Sequence, residues 1–199
     1  LKLIFLSNFW VIVNTFSSFA IQRCDLFILS IFSSPLSVSI YALILRAADN
    51  VNQLLSSFTR AFISDFIKDN RKIFKITNLN PALVKVSLLV TFAFFIFLFF
   101  YGDFILKLLL EVDNINTNFY HFLVPLIVLI KIAALMYGQI IILNKKMFKN
   151  FVYILVGLFA HIILSIILIP ILDIDAVIIS SFLMWIFILY RSHIILKHD

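Results

Sequence analysis

The stretch from Tyr41 to Arg60 carries a regular line of polar and charged side chains. They are spaced three and four residues apart, so in a helix they share one narrow face. Arginine binds phosphate through a planar fork of donors, and amides and hydroxyls suit sugar hydroxyls. The pattern is consistent with a phosphorylated, sugar-bearing lipid without singling one out. The line consists of Arg46, Asp49, Asn50, Gln53, Ser56, Ser57 and Arg60.

Further charges interrupt apolar segments at Arg23, Asp25 and Lys131. A charge near the centre of a bilayer costs about 2.5–3.5 kcal/mol on insertion scales. These groups must therefore pair with one another or face a hydrated cavity. Arg46 and Asp49 have the spacing to pair within one helix. Pairing between helices is the alternative to a cavity, but a polar line four turns long favours the cavity.

These considerations give two sets of candidate site residues. Lys131 is too deep in its segment to reach the membrane surface easily, and His161 is expected to be a hydrogen-bonded packing histidine rather than a proton relay. We expect Asp25 and Asp49 to bind a coupling cation or proton. The candidate substrate-binding residues are Arg23, Arg46, Asn50, Gln53, Ser56, Ser57 and Lys131.

The elements that position these residues follow from the composition. The chain has 199 residues, of which 63% are hydrophobic and 13% charged, and its mean hydropathy is +1.13. Several apolar runs of about 20 residues indicate a polytopic, all-α membrane protein. The net charge of +6 is explained by membrane topology and does not call for nucleic acid. A single cysteine, Cys24, excludes an internal disulfide.

Six transmembrane helices are predicted in one domain, residues 1–199. Two positions are open for the turn between the first two helices, either residues 23–25 or Ser33-Ser34-Pro35. We favour the second, because Ser34 suits an N-cap and Pro35 the first helical position. The approximate spans are then 4–32, 36–63, 81–101, 119–143, 150–170 and 176–195.

Lys and Arg set the expected orientation. Ten of them lie in the loops 64–80 and 144–149 and at the two ends, whereas the loops 33–37, 102–118 and 171–175 hold only Lys107. By the positive-inside rule both ends of this piece are cytoplasmic. The chain starts with Leu1 directly in an apolar run, so we expect it to be part of a longer protein.

The order of segments resembles the C-terminal half of bacterial polysaccharide flippases, which translocate O-antigen and capsule repeat units. They belong to the multidrug/oligosaccharidyl-lipid/polysaccharide exporter superfamily. The resemblance covers essentially the whole chain, although the family usually has Gly where Ser39 and Asp175 stand. It is carried by the run 23–29 (RCDLFIL), by 38–42 (VSIYA), by 105–109 (ILKLL), and by 168–172 (LIPIL) followed by 175–178 (DAVI).

The resemblance implies one six-helix lobe of a two-lobe transporter, with the N-terminal lobe absent here. It implies translocation of an undecaprenyl-pyrophosphate-linked oligosaccharide across the bacterial cytoplasmic (inner) membrane by alternating access. The partners implied are that lipid-linked substrate, membrane lipids, the N-terminal lobe, and in addition a polysaccharide polymerase and chain-length machinery.

The alternatives are a multidrug or other exporter of the same superfamily and a membrane polysaccharide polymerase or ligase. An exporter of organic cations would be expected to carry acidic residues deep in the membrane, whereas the deep charged residues here are mostly basic. A polymerase needs a sizeable outer loop with catalytic groups, but these loops are short and hold no Arg or His. No catalytic motif, metal cluster, phosphate loop or cofactor motif is found, so we expect a transporter rather than an enzyme.

Overall fold

The computed structural model describes the backbone of residues 2–69, 81–110, 120–143 and 147–197. Within these ranges the chain is helical, with no strand. Two helices run several residues past the apolar spans predicted for them, because a helix continues through polar residues that a hydropathy pattern leaves out. The helices are α1 (Lys2–Phe32), α2 (Pro35–Asp69), α3 (Pro81–Leu110), α4 (Tyr120–Leu143), α5 (Met147–Leu172) and α6 (Ile174–Lys197).

The turn between α1 and α2 lies at Ser33 and Ser34, which is the second of the two predicted positions. The last turn of α1 closes with the Ser33 amide donating to the Leu29 carbonyl at 2.8 Å. The Ser37 amide donates to Ser34 Oγ at 3.1 Å, which makes Ser34 the N-cap of α2. Pro35 occupies the first helical position, where its missing N–H costs nothing. The prediction of an unbroken α1 through Asp25 is thus confirmed.

The turn between α5 and α6 is a single residue, Asp173, with φ of 46°. This is the left-handed region, which Asp adopts more readily than most residues. Its carboxylate accepts hydrogen bonds from the hydroxyls of Ser33 at 2.6 Å and Ser37 at 2.5 Å. Asp173 therefore joins the α1–α2 turn to the α5–α6 turn. We call the end of the bundle that holds both turns the turn end.

Successive helices run in opposite directions. The contacts of Asp25 with His161 and of Ser33 with Asp173 make α1 parallel to α5. Lys131 over the Trp185 ring and Tyr137 bonded to His193 make α4 parallel to α6. The helix α6 packs most extensively on α5 and α4, and α2 packs mainly on α4 and α3. The core is apolar, and its described members with no exposed surface are Leu29, Tyr120, Val128, Ile141, Ala176 and Val177.

Large apolar side chains also cover the outside of the bundle. Phe16, Phe100 and Ile171 are 72%, 69% and 77% exposed, which is more apolar surface than a protein in water tolerates. Among the described residues, three helices are long and apolar enough to cross a membrane, and a shorter apolar stretch of α3 covers Leu88–Gly102. The spans are Tyr120–Gly138, Met147–Leu172 and Ile174–Leu196. The chain is thus an all-helical protein with membrane-spanning helices.

The Asp173 junction gives a first prediction. Replacing Ser37 with Ala removes one hydroxyl from the Asp173 carboxylate and leaves the Ser34 cap, which uses the Ser37 amide. We expect the free energy of unfolding in detergent to fall by about 1.5–3 kcal/mol, the range for a hydrogen bond to a charged group. The matched control is Ser39→Ala, because the Ser39 hydroxyl bonds only to the carbonyl of Pro35 in its own helix. Equal stability of the two variants would contradict the proposed junction.

Candidate functional site

The polar line of α2 lies on the outside of the described bundle. Arg46, Asn50, Gln53 and Ser57 are exposed, whereas Asp49 is partly buried. On the opposite side of the same helix, Tyr41, Ile44, Ala48 and Leu55 are buried in the core. The three-and-four spacing of the polar residues therefore places them on the side of α2 that faces away from the core. We call Arg46, Asp49, Asn50, Gln53, Ser56 and Ser57 the polar face.

The serines of the polar face are held by their own helix. The hydroxyls of Ser56 and Ser57 both donate to the carbonyl of Gln53, each at 2.9 Å. A hydroxyl that donates internally keeps its acceptor lone pairs. These two groups are therefore oriented to accept hydrogen bonds from outside, whereas the Gln53 and Asn50 amides can both donate and accept.

Arg23 joins this face from the neighbouring helix. Its Nη2 lies 3.6 Å from Oδ2 of Asp49, and the arginine side chain is half exposed. The spacing within α2 had suggested a pair between Asp49 and Arg46. Asp49 instead pairs with Arg23 of α1. In water an ion pair as exposed as this one contributes only about 0–1 kcal/mol. Where this surface faces water, the pair therefore opens at little cost and leaves both groups available to a ligand.

Asp25 is in a different environment, buried at the centre of four helices. It is 5% exposed and accepts hydrogen bonds from Tyr41 of α2 at 2.5 Å and from Ser181 of α6 at 2.9 Å. Its other oxygen lies 2.5 Å from His161 Nε2 of α5, and Cys24 Sγ is 3.5 Å away. A buried carboxylate needs such partners, because an unpaired one would cost several kcal/mol.

The histidine of this cluster is itself buried, at 1% exposure. Its Nε2 faces Asp25, and its Nδ1 has no hydrogen-bond partner within the described part of the chain. Donor atoms of Cys24, Asp25 and His161 lie within 4.8 Å of one another, a spacing that can admit a metal ion. However, the Asp25–His161 distance is that of a direct hydrogen bond. The arrangement is therefore a hydrogen-bonded acid–base pair, which can hold or move one proton.

Lys131 is buried beside this cluster and away from the exposed surface. It is 8% exposed, and its Nζ lies 5.4 Å from the centroid of the Trp185 ring. A desolvated cation over an indole ring gains about 2 kcal/mol. Lys131, Asp25 and Tyr41 also line a small cavity of about 20 Å³, the size of one water molecule. Lys131 thus lines the same small cavity as Asp25.

The structure divides the candidate site residues into two groups. Arg23, Asp49 and the rest of the polar face share one surface of α1 and α2, whereas Asp25 and Lys131 lie inside the bundle. The sequence predicted a hydrogen-bonded His161 but did not indicate that its partner is Asp25. Nor did it predict Tyr41 and Ser181 as further partners of Asp25. The only sequence signal was the presence of polar residues inside apolar helices. The side chain of Arg60, which belongs to the predicted polar line, lies outside the described set.

No known family model, curated protein or solved structure matches this chain. The fold and the two groups of polar residues therefore define the class by themselves. The protein is an all-α membrane protein that carries a buried carboxylate cluster and an exposed polar helix face.

The Asp25 cluster gives a second prediction. His161→Ala leaves the carboxylate buried without its basic partner, so the free energy of unfolding should fall by about 3–5 kcal/mol. Adding Asp25→Asn to that variant should recover part of the loss, because the charge is removed with its partner. Denaturation of the purified protein in detergent measures both effects.

The control for this test is His193→Ala. His193 is exposed and bonds to the Tyr137 hydroxyl at 3.2 Å. Removing its side chain should therefore lower the free energy of unfolding by no more than about 0.5–1 kcal/mol. If the two histidine variants are equally stable, the Asp25–His161 pair does not hold the four helices together.

Proposed function

We propose that this chain forms a six-helix lobe of a transporter that translocates undecaprenyl-pyrophosphate-linked oligosaccharides across the bacterial cytoplasmic membrane. The observation that carries the proposal is the polar face of α2. It is exposed on a bundle that, in the part of the chain the structure describes, carries many large apolar side chains on its outside. A surface of this kind needs water or a polar ligand to face.

Energetics favour a water-filled cavity opposite the polar face. Arg46 alone would cost about 2.5–3.5 kcal/mol against lipid near the centre of the bilayer. The buried charges do not need this face, since Asp25 is bonded within the bundle and Lys131 lies over an aromatic ring. The remaining polar groups of α2 are therefore available for a cavity shared with a second lobe.

The chemistry of the face matches a pyrophosphate joined to sugars. Arg46 and Arg23 supply guanidinium groups for the phosphates. Asn50, Gln53 and Ser57 follow along the same helix and suit hydroxyl groups. In this proposal the Arg23–Asp49 pair opens when phosphate arrives, and Arg23 transfers from the carboxylate to the ligand.

Coupling to an ion is assigned to the acidic residues. Asp49 is partly exposed beside Arg23, so a cation or proton can reach it from the cavity. Asp25 and His161 together hold one proton inside the bundle. Orientation follows the positive-inside rule, with both ends of this piece and residues 64–80 and 144–149 on the cytoplasmic side and the turn end on the other.

A second candidate is a non-transporting assembly subunit, in which intramembrane charges act only as structural glue. It is favoured by the pairing of Asp49 with Arg23 and of Asp25 with His161. It does not explain the exposure of Arg46, Asn50 and Gln53, which lie on the same side of one helix. The two candidates therefore differ in whether this side is wet.

Water accessibility of α2 distinguishes the candidates. Single cysteines are placed along the helix of the full-length protein in a Cys24→Ser background, and intact membranes are treated with a membrane-impermeant thiol reagent. We expect labelling at positions 46, 50, 53 and 57 and protection at 44, 48 and 55, whose side chains are buried. A dry face throughout would support the assembly subunit and contradict the cavity.

Substrate binding is tested by Arg46→Ala in cells that depend on this protein for polysaccharide export. Export should fall by about tenfold or more at unchanged protein level, the effect of losing one charge-assisted hydrogen bond to phosphate. Lys149→Ala is the control, because Lys149 is an exposed cation on α5 outside the polar face. Normal export by the Arg46 variant would exclude the role given to this residue.

A further inference from the structure

A groove between α2, α3 and α4 begins where the polar face ends. Its volume is about 230 Å³, and it is partly open to the surface. Arg46 and Asn50 belong both to the polar face and to the lining of this groove. The rest of the lining is almost wholly apolar and includes Ala47 of α2 with Phe97, Ile105 and Leu109 of α3.

The size and lining of the groove select the chemistry of what fills it. Small-molecule pockets usually measure about 300–1,000 Å³ and combine apolar walls with several polar groups. A sugar placed here would lose water from hydroxyls that find no partner, at a cost of about 1–3 kcal/mol for each. A stretch of hydrocarbon chain has no such groups and gains from contact with these walls. The groove therefore fits an apolar chain.

The groove also opens on the side of the bundle from which a hydrocarbon chain can enter. Phe97 and Leu109 are exposed at its edge, and α3 continues outward with exposed Phe92, Phe100 and Phe104. This surface is suited to the hydrocarbon of a membrane. A chain can therefore enter sideways from the bilayer without crossing the polar face.

The polar end of the groove specifies an anionic head group. Arg46 is exposed and, within the described part of the chain, forms no ion pair or hydrogen bond. A guanidinium group at the mouth of an apolar groove is complementary to a phosphate joined to an apolar chain. Asn50 lies one helical turn away and adds a donor for the same group.

We infer that this groove binds the hydrocarbon chain of a lipid whose phosphate is held by Arg46 and Asn50. The inference rests on the proposed function and adds the position of the lipid part of the substrate. The chain lies between α2 and α3 and extends toward the turn end. Groups beyond the phosphate continue along Gln53 and Ser57, in the opposite direction along α2.

Photolabelling of the purified full-length protein tests this inference. The probe is farnesyl phosphate with a diazirine in its chain, and labelled peptides are mapped by mass spectrometry. We expect labelling within 97–109 and 43–50 that excess unlabelled farnesyl phosphate displaces. The same diazirine probe made from farnesol, without phosphate, should label about tenfold less, because it lacks the bond to Arg46.

Filling the groove provides the matched variants. Ala47→Trp places an indole inside it, whereas Leu54→Trp adds the same side chain at an exposed position of α2 outside it. Labelling should be lost in the first and retained in the second. Leu109→Trp serves as a second filling variant that spares the core, because Leu109 is 58% exposed at the edge. Arg46→Gln should reduce labelling by farnesyl phosphate to the level of farnesol.

Labelling spread over the exposed face of α3 and unchanged in both filling variants would overturn the inference. Competition identifies the source of the phosphate lipid. Displacement by undecaprenyl phosphate but not by phosphatidylglycerol assigns the groove to the transported lipid. Equal displacement by both supports the groove as a site for a membrane phospholipid, and normal export by the Ala47→Trp variant would then separate it from the proposed transport.

Discussion

One carboxylate holds together four of the six helices. Asp25 extends from α1 and accepts hydrogen bonds from Tyr41 of α2 and Ser181 of α6, while His161 of α5 faces its other oxygen. The cost of removing this charge from water is offset only if every partner is in place. The positions of the four helices are thus coupled to one another. The Asp173 junction joins the same two helical hairpins at the turn end.

This coupling explains how an exposed charge and a buried charge coexist two positions apart on α1. Arg23 and Asp25 are two positions apart and therefore point to nearly opposite sides of α1. Asp25 points into the core, so Arg23 must lie on the surface, where it meets Asp49. The buried cluster thereby fixes the rotation of α1, and the surface position of Arg23 follows from it.

The sequence predicted the features that depend on neighbouring residues. Ser34 and Pro35 marked the start of α2, and the three-and-four spacing after Tyr41 marked its polar side. It did not predict partners far apart along the chain, such as Asp25 and His161, which are 136 positions apart. The depth of Lys131 was evident, but its aromatic partner Trp185 was not, because periodicity in one helix says nothing about which helix it meets.

The cross-section of α2 links the two proposals. At about 100° per residue, Tyr41, Ile44 and Ala48 form a core sector, and Arg46, Asn50, Gln53 and Ser57 form a polar sector. Leu43 and Ala47 fall between them and line the groove. A ligand with one apolar and one polar part can contact the groove-lining residues and the polar sector at the same time. Arg46 and Asn50 belong to the polar sector and also line the groove, so at this level of α2 both parts of such a ligand meet matching groups.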